Sequence, residues 1–365
     1  LENKESLIFI PDITGFTEFV NNTELEHGQH IISELLELIV KANTLDMTVS
    51  EVEGDAILFY KYNHIPSLDA LVEQAKKIFV DFHTHLKKYE QQRICNCGAC
   101  TSAADLSVKI IAHCGEIGFT TVLGKQKPFG KALVMAHKLL KNEVDEQEYL
   151  LFTKPLPATD SNALPDWVEL KAYTTKYPDM DAIAFQAFSL TPCMSEVKNP
   201  PALEANLKVE HPPTLEQIID KPVEYVFEMA SNLGNRLQWT DLNDLEYDAS
   251  QINQNGVVHK CVFDSGTALI ETLRTDSGED FYSYGEKIVG NKLAKSALFN
   301  YKFYPHGPTQ TRMVAEIHII PWPIIGQLIK ALVIKKLIKN LSSQLPRLKE
   351  LCETGVVKEM QAKSL

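Results

Sequence analysis

Apolar residues recur along this chain at two spacings, and the switches between them mark out strands and helices. The unbroken run Leu7, Ile8, Phe9, Ile10, Pro11 predicts a strand that feeds a helix from about Thr14. Ile31, Ile32, Leu35, Leu36, Leu38 and Ile39 follow at helical spacing. Two β-prone runs, 48–52 and 56–60, flank the turn signal Glu53-Gly54-Asp55 and predict a hairpin. A helix is expected over 67–89, with Leu68, Leu71, Ala75, Ile78, Phe79 and Phe82 on one face, and then a strand over 106–113. Helical spacing returns at 129–142, and 167–172 with 183–188 predict a closing hairpin. This order suits an α+β sandwich with helices on one face of a mainly antiparallel sheet.

The pattern lapses over 191–213, where Pro, Ser, Glu, Lys and Asn replace periodic apolar residues, as in a linker. Beyond it, Asp220 is placed to cap a helix carrying Val223, Val226, Phe227 and Met229. Strands are expected over 257–263, 268–274, 281–288, 297–304 and 311–320, and a long helix over 323–352. The expected division is a first domain at 1–193, a linker at 194–208, a second domain at 209–352 and a tail at 353–365. A chain of 365 residues, 44% hydrophobic, has enough apolar material for two cores.

A net charge of −12 argues against nonspecific adhesion to nucleic acid, which needs a basic surface to displace counterions. The start reads as a strand and not as a signal peptide, and the seven cysteines suit a reducing compartment, so the chain is expected in the cytoplasm. Lys330, Lys335, Lys336 and Lys339 interrupt the last helix too often for a transmembrane span. Its apolar stripe of Ile324, Leu328, Ala331, Ile334, Ile338, Leu341, Leu345, Leu348 and Cys352 reads as core-facing, and with Trp322 the same basic amphipathic stretch is also compatible with a membrane surface.

Candidate chemistry gathers in two strings, Ile10-Pro11-Asp12-Ile13-Thr14-Gly15-Phe16-Thr17 and Glu51-Val52-Glu53-Gly54-Asp55-Ala56. Each sets an aspartate at the end of an apolar run beside a glycine, the arrangement needed if two carboxylates are to meet at one sheet end and hold a hard cation. Structural readings stand beside this one: Asp12 as a helix N-cap, Asp55 as a hairpin residue. Together the strings resemble the metal-binding part of the class III nucleotidyl cyclases. The resemblance implies that Asp12 and Asp55 hold magnesium or manganese on a nucleoside triphosphate. It also implies that Glu51 occupies the base-reading position, where a carboxylate favours guanine over adenine; a solvated strand glutamate is the other reading.

The second half of that family's signature, Gly-x-x-Val-Asn-x-Ala-x-Arg-Leu, falls on 130–139. Gly130, Ala136 and Leu139 match; Val134 replaces the asparagine that orients the ribose, and Lys138 replaces the arginine that stabilises the transition state. Each such loss costs on the order of a hundredfold in rate. Lys127 stands at the partner base-recognition position, where cysteine or aspartate is expected, and completes neither specificity of the family. The family assembles its site across a dimer, so a homodimer would carry the same defect twice. His113 and Gly115 match its His-x-Gly, with His113 read as a fold-supporting residue.

Cys95, Cys97, Cys100 and Cys114 offer either a structural zinc site or thiols capping a strand. His83 and His85 read as surface residues. In the second half, 219–229 and Leu237-Gln238-Trp239-Thr240, followed by the strand series and long helix, resemble the START-like superfamily of polyketide cyclases and lipid carriers. That resemblance implies a helix-grip fold with an apolar cavity involving Trp239, Ile324, Leu328, Ile334 and Ile338. The fold expected is therefore α+β, a ferredoxin-like cyclase domain followed by a START-like domain. Three functions follow: a catalytically degenerate cyclase-homology domain joined to a binder of a small apolar ligand or lipid, an active divergent guanylyl cyclase regulated by that ligand, or an apolar-ligand carrier on a dimerising scaffold.

Overall fold

The computed structural model describes residues 2–23, 25–94, 97–153, 156, 164–178, 181–200, 211–247, 255–264, 266–275, 281–290, 294–322 and 325–355. Two compact units emerge, Leu1–Glu90 with Gly98–Pro200, and Gln91–Cys97 with Pro201–Leu365. In chain order, the first holds β1 (Lys4–Thr14), α1 (Phe16–Asn22), α2 (Leu25–Lys41), β2 (Thr48–Glu53), β3 (Ala56–Lys61), α3 (Leu68–Gln92) and α4 (Gly98–Ser102). There follow β4 (Ser107–Val122), β5 (Lys125–Phe129), α5 (Lys131–Leu139), β6 (Tyr149–Thr153), β7 (Lys171–Thr175) and β8 (Ile183–Ser189).

The sheet runs β2-β3-β1-β4-β6-β8-β7, with β5 paired to β4, and the described pairs are antiparallel except β4 with β6. β1 lies between β3 and β4, and Leu7, Ile8, Phe9 and Ile10 are fully buried, so both its faces are covered; that is why its sequence is a continuous apolar run. The α+β reading holds, and several boundaries move. The first helix starts at Phe16 and not at Thr14, because Thr14 still pairs with Ser107 and Gly15 makes the turn at φ +89°, a left-handed conformation suited to glycine. β4 extends nine residues past the expected end at 113, into a hairpin with β5. β6, a fully buried five-residue run, was not expected at all.

His83 and His85 are not surface residues. His83 is buried with Nε2 2.5 Å from the Glu148 carboxylate, and His85 Nε2 lies 2.8 Å from Glu34. Glu34 also receives the Tyr89 hydroxyl at 2.5 Å and lies 3.2 Å from His30. Burial pushes the Glu34 carboxyl up, but hydrogen bonds from His30, His85 and Tyr89 outweigh it and hold the pKa at about 2. His113 supports the fold as expected: it is buried, its Nδ1 meets the Thr153 hydroxyl at 2.6 Å, and burial lowers its pKa to about 4.

The second unit comprises β9 (Thr214–Ile219), α6 (Val223–Ser231), α7 (Arg236–Trp239), β10 (Asp244–Glu246), β11 (Val258–Phe263), β12 (Gly266–Leu273), β13 (Tyr282–Val289), β14 (Ala294–Pro305), β15 (Thr311–Pro321) and α8 (Ile325–Thr354). Its antiparallel sheet runs β10-β11-β12-β13-β14-β15-β9, and α8 packs on β9, β15, α6 and α7. Pro222, not Asp220, occupies the cap of α6; Asp220 instead accepts from Gln310 at 2.7 Å. The core gathers Phe227, Tyr284, Tyr301 and Phe303, and the Tyr284 hydroxyl donates to the Ala230 carbonyl at 2.9 Å. Arg236, buried over the Trp239 ring at 4.7 Å, is paired with the buried carboxylate of Glu286. Among the described residues, no helix is long and apolar enough to cross a membrane.

Candidate functional site

Asp12 lies near the end of β1, opposite Ala56 of β3 on one side and Lys109 of β4 on the other. The turn between β2 and β3 delivers Asp55 beside it: the Ile13 amide donates to the Asp55 carbonyl at 3.0 Å, and the Asp55 carboxyl reaches that of Asp12. The two acids therefore lie side by side. Asp12 is 9% exposed, and burial raises its pKa; Lys109 opposes the rise and the neighbouring Asp55 adds to it.

Lys109 Nζ stands 3.1 Å from Asp12 Oδ2. Spacing along the chain gave no sign of this lysine. Its signal is the pairing of β1 with β4, which sets positions 12 and 109 directly opposite on one face. The donor set fits a hard cation: two carboxylates supply oxygen ligands of the kind magnesium and manganese take, and one ammonium does not neutralise both.

The remaining positions of the signature make other contacts. Lys138 Nζ lies over the Tyr177 ring, 5.6 Å from its centroid, and Val134 is exposed. On the same helix His137 Nδ1 is 3.5 Å from Glu53 Oε2, an approach that sequence spacing did not disclose. Glu51 and Lys127 are brought together, Nζ to Oε2 at 2.6 Å, by β2 and the β4–β5 hairpin.

The cysteines regroup. Cys114 sits on β4 opposite Leu7, buried, with burial pushing its thiol up to about 12, and it lines a cleft of about 490 Å³ with His113, Gly115, Gly130 and Ala132. It does not join Cys97 and Cys100, whose neighbour is His27 of α2. Cys95 lies outside the described residues. The cavity positions fare unevenly. Trp239 is fully buried under Arg236, Ile334 and Ile338 are half-buried, Ala331 is exposed, and Leu341, Leu345, Leu348 and Cys352 are buried. Ile324 and the side chain of Leu328 lie outside what is described.

Residues 32–149 match a family described as a protein of unknown function, DUF2652. An uncharacterized protein of Mycobacterium tuberculosis (strain ATCC 25618 / H37Rv) is 29% identical over 122 residues, which is 33% of this chain; the chain spans 57% of that relative's length. Among solved structures, a bacterial light-regulated adenylyl cyclase is similar at a TM-score of 0.37 and 15% identity, covering 52% of each chain. The protein TTHA0849 from Thermus thermophilus is similar at 0.31 and 23% identity, covering 38% of this chain and 94% of that one. Likeness at this level does not assign a chemistry, which has to come from the side chains.

Proposed function

We propose that the first unit binds a nucleoside triphosphate with a divalent cation and is a catalytically degenerate relative of the nucleotidyl cyclases, working as a homodimer, and that the second unit binds a small apolar ligand. The observation that carries the reading is the convergence of Asp12, Asp55 and Lys109 at one end of the sheet. The two carboxylates supply oxygen ligands for magnesium or manganese, which on binding neutralises phosphate charge. Lys109 adds a fixed ammonium on the same face, placed for a phosphate oxygen once the cation has taken up the acids. Loss of the family's asparagine and arginine to Val134 and Lys138 removes the donors that would steady the reacting phosphate.

A second reading, an active guanylyl cyclase, is favoured by one observation. Glu51 places a carboxylate at the base-reading position, with Lys127 Nζ 2.6 Å from its Oε2. A carboxylate accepts from the guanine N1 and N2 hydrogens, donors that adenine lacks.

Titration calorimetry with GTP and magnesium, alongside incubation with GTP or ATP and manganese, tests both readings. The expected result is metal-dependent GTP binding that weakens by at least roughly tenfold in Asp55→Ala, with no cyclic nucleotide formed. Cyclic GMP that disappears in Asp55→Ala would instead establish the active enzyme. Absence of any metal-dependent nucleotide binding would overturn the proposal for this unit.

A further inference from the structure

Three soft or borderline donors meet away from the acidic centre. His27 stands at the third position of α2, Cys97 directly precedes α4, and Cys100 is the third residue of α4. One donor atom from each lies within 4.8 Å of the other two, and Cys100 Sγ is 3.6 Å from His27 Nδ1. Cys100 is buried and the other two are half-buried.

These distances can be set against the dimensions of a zinc centre. With Zn–S near ~2.3 Å and Zn–N near ~2.0 to 2.1 Å, tetrahedral angles put sulfur and nitrogen about 3.6 Å apart and two sulfurs about 3.8 Å apart. The Cys100 to His27 separation equals the first of these. The spacing Cys97-x-x-Cys100, with Gly98 between, is the short loop on which two thiolates commonly share one metal.

We propose that His27, Cys97 and Cys100 bind a borderline-soft divalent cation, with zinc the natural occupant. Binding takes the imidazole as a neutral donor at Nδ1 and two thiols as thiolates, so two protons pass to solvent and the two thiolate charges balance the cation. The donor chemistry, nitrogen and sulfur, selects against magnesium and manganese, so this site and the Asp12–Asp55 pair discriminate between metals without competing. The metal would clip α2 to the start of α4. α4 also packs against α1, and a Cβ added at Gly15 would lie 3.7 Å from Leu106, so the segment after Asp12 rests on the α4 to β4 connection. The inference does not depend on nucleotide binding.

The test is metal analysis of the full chain purified in reducing, chelator-free buffer, with cobalt substitution as a spectroscopic probe. The expected result is roughly one zinc per chain, and on cobalt exchange intense tetrahedral d–d bands with a thiolate-to-cobalt charge-transfer band. His27→Gln and Cys100→Ser should lower bound metal severely, while Cys114→Ser, which removes a thiol outside the group, should retain it. If a variant fails to fold, the cobalt spectrum of the wild-type chain still decides. A reduced wild-type chain with neither zinc nor a thiolate-to-cobalt band overturns the proposal, as does Cys114→Ser losing metal as completely as Cys100→Ser.

Discussion

Glu34 shows how much one side chain gains from partners far away in sequence. Its carboxyl gathers His30, one turn along the same helix, and His85 and Tyr89 from α3. A carboxyl held at about 2 against its ordinary 4.5 stabilises the fold fully above pH 4.5 and loses that contribution as the pH falls toward 2. The shift corresponds to roughly 3 kcal/mol at ~1.4 kcal/mol per pH unit. Glu34→Gln should therefore lower stability most at neutral pH, with the gap to wild type closing as the pH drops through this window. Denaturation midpoints measured from pH 7 to pH 2 check it; a gap that stays constant would show that packing and not charge sets the loss. Periodicity placed Leu35 and Leu36 in the helix core but carried no sign of these hydrogen bonds, because their partners are some fifty residues distant. The pair Asp12 and Lys109 was hidden in the same way, with nothing to single out Lys109 until strand register set the two opposite.

Between β4 and α5, contact is so close that a side chain is excluded. A Cβ on Gly115 would lie 2.9 Å from the Cβ of Ala132, nearer than real Cβ contacts come. Gly115→Ala should force α5 away from the sheet and cost about 1–3 kcal/mol. Adding Ala132→Gly should recover part of that loss, giving a favourable coupling of about 0.5–3 kcal/mol in a double-mutant cycle; simple additivity would show that the two positions do not press on each other. The helix itself was legible from its spacing, although the expectation of 129–142 overran the observed Lys131–Leu139 at both ends. β6 was missed because five buried residues carry no period with which to tell strand from helix. The closing hairpin was found, with β7 shifted to Lys171–Thr175.

Two cores of separate composition imply two unfolding events. The first unit buries Phe59 and Phe152, and the second buries Phe227, Phe303 and Leu348. Scanning calorimetry of the full chain should resolve two transitions. Phe59→Ala should lower one of them by about 3–5 kcal/mol, and Leu348→Ala the other by about 2–5 kcal/mol. A single transition moved by both variants would show that the units unfold together. The division between the units at Pro200 and Pro201 falls within the Pro-containing stretch 191–213, where apolar periodicity lapses. Along the stripe expected on the last helix, Leu341, Leu345, Leu348 and Cys352 are buried, Ile334 and Ile338 are half-buried, and Ala331 is exposed.

Local order was written into the chain. Strand followed by helix and the Glu53-Gly54-Asp55 turn follow from spacing within short segments, where backbone preference and one buried face suffice, whereas the meeting of Asp12 with Asp55 needs the pairing of β1 with β3. The company those residues keep was settled by folding. Lys109 beside Asp12, Lys127 on Glu51, His27 with Cys97 and Cys100 in place of Cys114, and Arg236 buried against Glu286 each join positions separated by about 50 to 100 residues or lie in a cluster that does. Burial then sets what such pairs are worth, since a charge removed from water keeps only the partner that the packed chain supplies.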